Sequence, residues 1–411
     1  MILGQVSWLD CFVFLIFLAP QLILRVGFFP TLFCGLRALP FLLIKLPRLF
    51  LSRENRSPFV QTASWFEDFI IRCVRYAFAN IPANIGRVFF SKPVALPFLK
   101  FRMLRHGFLR SPIHWEEVNK SDFKGIWMID DESRDPDIVI YYAHGGGFSM
   151  GSSYFYLEFL LTWLSLLKTC GGFDNPAIFS LEYTLVPDDS YPSQLREASA
   201  GYKYTLSKTT GDPSKICVAG DSAGGTIILT LLLHLASISN RPTPKPIASN
   251  PSTHLTSRPQ LPTNNPSNPG MALLISPWTT LSSPHHKTTR SDYLDPATLQ
   301  AYATLYAGPD ISIDDPVISP GRCKSVSWWQ KAWPKHGIFV VYGAEEVFAP
   351  EIRGLVRFWE EGGLEVGWEE EKGGIHAWPV ASVFLGGTRE RRLKGLRIIV
   401  GDIRRRMGRG K

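Results

Sequence analysis

Ser222 stands in Gly220-Asp221-Ser222-Ala223-Gly224-Gly225, between the apolar run 215–219 and a helix-patterned run over 225–236. A serine flanked by small residues on a strand-to-helix turn has its hydroxyl lifted clear of the sheet, as a nucleophile requires. The same pattern also suits a plain glycine-rich turn, so it needs a second signal. That signal is His144-Gly145-Gly146-Gly147-Phe148, directly after the apolar run 138–143. Attack on a carbonyl builds negative charge on its oxygen, and preorganised backbone N–H groups stabilise that charge. Gly145, Gly146 and Gly147 allow the backbone to turn such groups inward. Two of the three are expected to donate, with Ala223 as the third donor; the spacing does not say which two. His144 reads as a hydrogen-bonding shaper of the turn rather than a base. A phosphate loop is the rival reading, but no GxGxxG or GxxxxGK[ST] follows.

A serine hydroxyl needs a base, and the base needs an orienting carboxylate. For a serine on this kind of turn, the acid and then the histidine follow it along the chain. His234 lies inside an apolar helical run, His254 in a polar insertion, and His336 ahead of a strand at the wrong end. His285 and His286, with Asp292, invite a metal reading, but adjacent histidines lack the i,i+4 spacing of a zinc-binding helix. His376, in Gly373-Gly374-Ile375-His376-Ala377-Trp378-Pro379, follows the last strand-like run and is the expected base. The acid belongs just after the run 337–342, where the chain reads Tyr342-Gly343-Ala344-Glu345-Glu346-Val347-Phe348. No Asp is present, so Glu345 and Glu346 compete, and Glu346 is preferred. Glu351 reads as a first-turn charge of the next helix. Acyl transfer by these groups calls for no metal or organic cofactor.

These residues require elements that hold them at one edge of a sheet. Short apolar runs at 138–143, 177–183, 215–219, 271–275, 337–342 and 364–370 alternate with helical runs at 154–167, 194–207, 225–236 and 355–361. Short buried strands separated by helices predict an α/β fold, a mostly parallel sheet covered on both faces. Residues 240–270, rich in Pro, Ser, Thr and Asn, are expected to form an exposed insertion without fixed structure. The expected organisation is a membrane anchor and apolar region over 1–50, a helical cap and lead-in over 51–134, and a catalytic domain over 135–411.

The N-terminal 50 residues depart from soluble composition. Residues 11–24 carry no charge, and Trp8 and Leu9 extend them to about one membrane thickness. The run lacks a basic n-region and a small-residue cleavage site, so a retained single-pass anchor, in an endoplasmic-reticulum-type membrane, is expected over a cleaved signal or a buried cap helix. The second run, 26–44, is interrupted by Arg37, Pro30 and Pro40 and is expected to lie at the interface or on the catalytic domain. The bases after the first run (Arg25, Arg37, Lys45, Arg48, Arg53, Arg56) favour a cytoplasmic catalytic side, whereas sequons at Asn55 and Asn119 permit a luminal one. Six scattered cysteines without a CxxC pair exclude a disulfide scaffold and a zinc ribbon.

The net charge of +8 invites nucleic acid as a partner. All of it resides in residues 389–411, which hold ten bases and two acids. There Leu393, Leu396, Ile399, Val400, Ile403 and Met407 fall at helical spacing, predicting a last helix apolar toward the sheet and basic toward solvent or anionic lipid. A local tail property does not support a nucleic-acid partner.

Six ordered motifs resemble the hormone-sensitive-lipase-like branch of the α/β-hydrolases, which includes arylacetamide deacetylases and fungal steryl acetyl hydrolases. They are HGGGF at His144, LEYTLVPDDSYP at Leu181, GDSAGG at Gly220, ISPW at Ile275, DPVISPGR at Asp315 and IHAWP at Ile375. The H-x-W-P ending and the anchor look most like the steryl acetyl hydrolases. The resemblance implies that the stretch from Glu182 to Pro192 braces the glycine loop. It also implies hydrolysis of short-acyl, above all acetyl, esters of lipophilic alcohols such as sterols. The acid departs from the family, which often has Asp before Pro-Leu where this chain has Glu346-Val347-Phe348. Amide hydrolysis or acyl transfer could use the same triad, and a catalytically silent binding protein could keep the fold.

Overall fold

The structure is a computed structural model that describes residues 1–51, 57–239 and 268–408. Most of the insertion at 240–270, with His254, lies outside the described residues, as do Arg53, Asn55 and Arg56.

Among the described residues eight strands form one sheet: β1 (His114–Asn119), β2 (Lys124–Ile129), β3 (Ile138–Ala143), β4 (Pro176–Glu182), β5 (Ile216–Asp221), β6 (Met271–Ile275), β7 (Ile338–Gly343) and β8 (Val366–Glu371). Their order is β1-β2-β4-β3-β5-β6-β7-β8. The pairs from β4 through β3, β5, β6 and β7 to β8 are parallel, and β1 and β2 run antiparallel at one edge. The sheet therefore begins at His114, ahead of the boundary at 135 that the sequence suggests.

Alternation along the strands divides the core in two. Val139, Tyr141 and Ala143 face one core with helices Ser193–Lys208 and Ala349–Glu361, while Ile138, Ile140 and Tyr142 face another with helix Ser153–Thr169. Helix Arg389–Met407 sends Leu393, Leu396, Ile399, Val400 and Ile403 into the second core, as its spacing predicts. The register pairs Ala143 with Gly220, Asp221 with Ile275, Ile275 with Val341 and Gly343 with Glu371. The C-terminal ends of five parallel strands are thus level, and the loops that follow them share one rim. In open α/β sheets that rim is where ligands bind.

The N-terminal region adds a further layer. Helix Trp8–Arg25 starts with a capping box between Ser7 and Asp10. Its Leu18 packs with Val88 and Val94 in a small separate core. Asp10 is fully buried, 2.6 Å from Arg105 and 3.2 Å from Arg102, and Arg102 in turn lies 2.6 Å from buried Glu158. A second helical stretch, Phe28–Phe50, is likewise long and apolar enough to cross a membrane.

Candidate active site

Ser222 follows β5 at once and opens helix Ala223–Ser239. Its φ is +52°, a left-handed conformation that a non-glycine residue adopts only under constraint. The constraint is visible. The Ser222 N–H donates to the Ile275 carbonyl at 3.0 Å, and its own carbonyl accepts from Trp278 N–H at 3.0 Å. Gly220 and Gly224 are required by space: a Cβ on Gly224 would come within 2.0 Å of the Ala143 oxygen, and one on Gly220 within 2.6 Å of Gly224. The tight turn anticipated from the sequence is present.

The glycine loop after β3 is turned by Gly146 at φ +117°, Gly147 at +60° and Phe148 at +60°. Gly145 leaves the set of expected oxyanion donors, because its N–H donates to Asp221 Oδ1 at 2.7 Å. Gly146 and Gly147, with Ala223 at the start of the nucleophile helix, are the remaining candidates. Asp221 also accepts from the Tyr142 and Tyr156 hydroxyls at 2.6 and 2.7 Å. Burial raises its pKa to about 6, and these three donors oppose the rise. This carboxylate ties the nucleophile turn to the glycine loop, a role that the motif GDSAGG does not disclose. His144 is buried and its Nδ1 lies 2.7 Å from the Gly145 carbonyl, while burial lowers its pKa to about 4. Its ring stacks on Tyr183, whose hydroxyl donates to the His144 carbonyl at 2.8 Å. Val186 N–H donates to the Phe148 carbonyl at 2.9 Å, so the 182–192 stretch does brace the loop.

Glu346 and His376 come together on the loops after β7 and β8, with Oε2 3.9 Å from Nδ1. The other carboxylate oxygen and Nδ1 are both buried without a hydrogen-bond partner among the described residues. Catalytic hydrogen bonds are often long without substrate and tighten on binding. Glu346 Oε2 accepts from the Ser276 hydroxyl at 2.6 Å and from Gly343 N–H at 3.1 Å. Glu345 is only half-buried, and its N–H donates to the Gly374 carbonyl at 3.0 Å. Of the two acids, Glu346 is therefore the one beside the histidine. Burial pushes the Glu346 carboxyl well above its usual range and the His376 imidazole down to about 3, so both favour the neutral form.

Two supporting residues escape the sequence reading. Ser276, at φ +45° after β6, donates to Glu346 and accepts from Ala377 N–H at 2.9 Å, bridging the acid and histidine loops. Asp292, grouped above with His285 and His286 as a metal reading, is fully buried and accepts from backbone instead. Its Oδ1 takes His376 N–H at 3.0 Å and Tyr293 N–H at 2.9 Å, and its Oδ2 takes Val347 N–H at 2.8 Å. Among the described residues no cluster of three metal-ligating side chains occurs. The sequence signal for Ser276 was the ISPW motif; for Asp292 it gave only an acid shortly after His285, His286, Lys287 and Arg290.

Aromatic rings surround the site. Phe348 and Tyr293 lie 5.1 and 5.8 Å from the His376 ring, and Tyr302 faces Gly147 closely enough to exclude a Cβ there. Phe78 of helix Trp65–Asn80 packs edge-on to Tyr302 at 6.0 Å.

A family profile described as the alpha/beta hydrolase fold matches residues 140–380, more than half of the chain. An acetyl-hydrolase of Streptomyces hygroscopicus is 26% identical over 258 residues, 60% of this chain and 70% of that protein. A Schizosaccharomyces pombe protein provisionally named a steryl acetyl hydrolase is 25% identical, over 65% of this chain and 67% of its own. Mouse hormone-sensitive lipase is 32% identical over 124 residues, 29% of this chain, and the match spans only 15% of the lipase. Among solved structures, an esterase from the bacterial hormone-sensitive lipase family superposes with a TM-score of 0.61 at 20% identity. That match covers 84% of this chain and all of the esterase, a likeness of fold.

Proposed function

Because the chain belongs to the alpha/beta hydrolase fold family, we propose that it is a serine carboxylic-ester hydrolase working through an acyl-enzyme. Ser222 Oγ attacks the ester carbonyl while His376 takes its proton, and Glu346 holds the imidazole in the correct tautomer. The N–H groups of Gly146, Gly147 and Ala223 stabilise the oxyanion, for which such donors typically contribute about 3 kcal/mol each. His376 returns the proton to the leaving alcohol. Water, activated by the same base, then releases the acid and restores Ser222. The observation that carries this reading is the left-handed Ser222 at the end of β5, on the same rim as the Glu346–His376 pair.

The substrate we propose is a short-acyl, above all acetyl, ester of a lipophilic alcohol such as a sterol. The rings of Tyr293 and Phe348 beside His376 and of Tyr302 beside Gly147 favour a lipophilic ligand. The names of the acetyl-hydrolase and steryl acetyl hydrolase relatives favour acetyl transfer to water. The exposed N-terminal apolar helices favour attachment to a membrane, which we place in the endoplasmic reticulum. Asn119, exposed at the end of β1, reports the side: a glycosidase-sensitive mobility shift places the catalytic domain in the lumen. Turnover of p-nitrophenyl acetate, p-nitrophenyl butyrate and a steryl acetate by the purified protein tests the reading. Wild type is expected to hydrolyse the acetates, and Ser222→Ala to leave only background. Equal rates for the two proteins would refute it.

A further inference from the structure

The two N-terminal apolar helices are each long enough to span a bilayer, yet their packing points to a different arrangement. Helix Trp8–Arg25 lies along one face against helices Ala83–Phe90 and Lys92–Arg105. Buried Asp10 pairs with buried Arg102 and with the exposed Arg105, Phe14 meets Phe98 edge-on at 5.1 Å, and Leu18 packs on Val88 and Val94. These positions recur every four residues from the first turn onward, so the contact runs along the helix rather than at one end. The helices beneath it carry charges engaged with the soluble body: Arg87 pairs with Asp188, and Lys92 with Glu117. A spanning helix Trp8–Arg25 would either abandon this face or draw those ion pairs toward hydrocarbon, at several kcal/mol in order of magnitude for each charge.

The opposite face is apolar and open. Phe12 is 62% exposed and Leu24 77%, and the second stretch presents Phe29 at 79%, Phe33 at 68% and Leu43 at 70%. That stretch then returns to the domain. Phe41 stacks on Tyr76 at 4.3 Å, the Tyr76 hydroxyl donates to the Arg37 carbonyl, and Phe50 stacks on Trp65 at 5.8 Å. Both ends of the hairpin are thus fastened to the same body. Its charge pattern identifies what covers it. Residues 11–51 contain no Asp or Glu, and Arg25, Arg37, Lys45 and Arg48 are all exposed beside the apolar residues.

We infer that the hairpin from Trp8 to Phe50 lies in the plane of a single anionic leaflet, with its phenylalanines and leucines among the acyl chains and its four bases at the headgroups. This deepens the membrane attachment proposed above and replaces a single span with an in-plane mooring. It also has a consequence for the site. Helix Trp65–Asn80 receives Trp8 on Phe66 and Phe69, and further along carries Phe78 against Tyr302 over the glycine loop. The moored surface and the cover of the active site therefore share a helix, which places the site beside the leaflet that holds a lipophilic ester.

The test uses the full chain with different epitope tags at its two ends, reconstituted into sealed phosphatidylcholine vesicles containing phosphatidylserine and treated with protease from outside. In-plane mooring predicts that each molecule keeps both tags or loses both, and that a protease site inserted between Val26 and Gly27 is cut only where the tags are lost; cutting at that turn in molecules that keep both tags would show a double crossing and overturn the inference. Molecules that keep one tag and lose the other would show a crossing and overturn the inference while leaving membrane attachment intact. Failure to float with the vesicles would overturn both. Phe29→Asp with Phe33→Asp is expected to abolish flotation and turnover of a vesicle-borne ester, with turnover of soluble p-nitrophenyl acetate unchanged. Arg25→Gln with Arg37→Gln should reduce partitioning onto anionic vesicles by on the order of tenfold, with little change on vesicles of phosphatidylcholine alone. Unaltered partitioning for both double variants would place the contact elsewhere. Soluble-ester turnover by wild type reports separately on the hydrolase reading.

Discussion

Glu345 and Glu346 are neighbours in the chain with unlike surroundings. Glu346 is buried beside His376 and held by Ser276 and Gly343, whereas the Glu345 side chain is partly open to solvent. Glu346→Gln is therefore expected to lower kcat by about 100-fold or more, because an amide cannot become the carboxylate that stabilises the imidazolium formed as His376 takes the Ser222 proton, and Glu345→Gln to change it little. Steady-state kinetics on a soluble ester distinguish them, and the reverse ranking would transfer the role. Burial also sets the pH response. The His376 pKa falls from 6.5 to about 3 on desolvation, so the folded enzyme keeps a neutral base where a free imidazole would be protonated. kcat/KM is accordingly expected to stay level as the pH falls through 6.5, and an acid limb centred near 6.5 would show the imidazole to be hydrated before substrate binds. The same depression means that His376 contributes stability above pH 6.5 that is lost as pH falls toward 3, since the unfolded chain takes up that proton first. Ser222, His376 and the pair Glu345/Glu346 could be singled out in the sequence because nucleophile, acid and base follow a fixed order along the chain, whereas the difference in burial between the two acids appears only in the fold. Asp292 was not. It acts through backbone N–H groups of Val347 and His376, contacts that only the folded chain brings together.

Among the elements, the glycine loop after β3 carries a steric demand as tight as that of the nucleophile turn. Gly146 combines φ +117° with a virtual Cβ 2.0 Å from the Met150 carbonyl oxygen. Gly146→Ala must shift this loop, and loss of an oxyanion donor typically costs about 100-fold in kcat. The expected result is a fall of that order in kcat with KM and far-ultraviolet circular dichroism close to wild type. Unchanged kcat would remove Gly146 from the donors and leave Gly147 and Ala223. The parallel strands β3 to β7 were readable because each is buried along its length, which requires an unbroken apolar run. β1 was not readable for the converse reason. It is an edge strand with sequence HWEEVN and one buried residue, so solvent and the sheet both tolerate its polar side chains.

For the molecule as a whole, the charge excess and the last helix are one feature with two faces. Helix Arg389–Met407 buries Leu396 and Ile399 completely beneath the sheet and turns Arg389, Arg391, Lys394, Arg397, Arg404 and Arg405 outward, while Arg406 is folded in against Asp402 and the His336 carbonyl. Ile399→Ala should therefore cost about 3 kcal/mol in urea unfolding, whereas replacing an outward base such as Arg397 should cost well under 1 kcal/mol. A loss at Ile399 no larger than at Arg397 would mean that the helix is an appendage rather than part of the core. The central claim concerns Ser222, and a fluorophosphonate reagent tests it most directly: the serine oxygen attacks phosphorus, fluoride departs, and a stable adduct remains. Intact-mass measurement should show one adduct per chain, mapped by peptide mass to the turn 220–225, with none on Ser222→Ala and slowed labelling on His376→Ala. An adduct at another residue, or equal labelling of wild type and Ser222→Ala, would contradict the assignment.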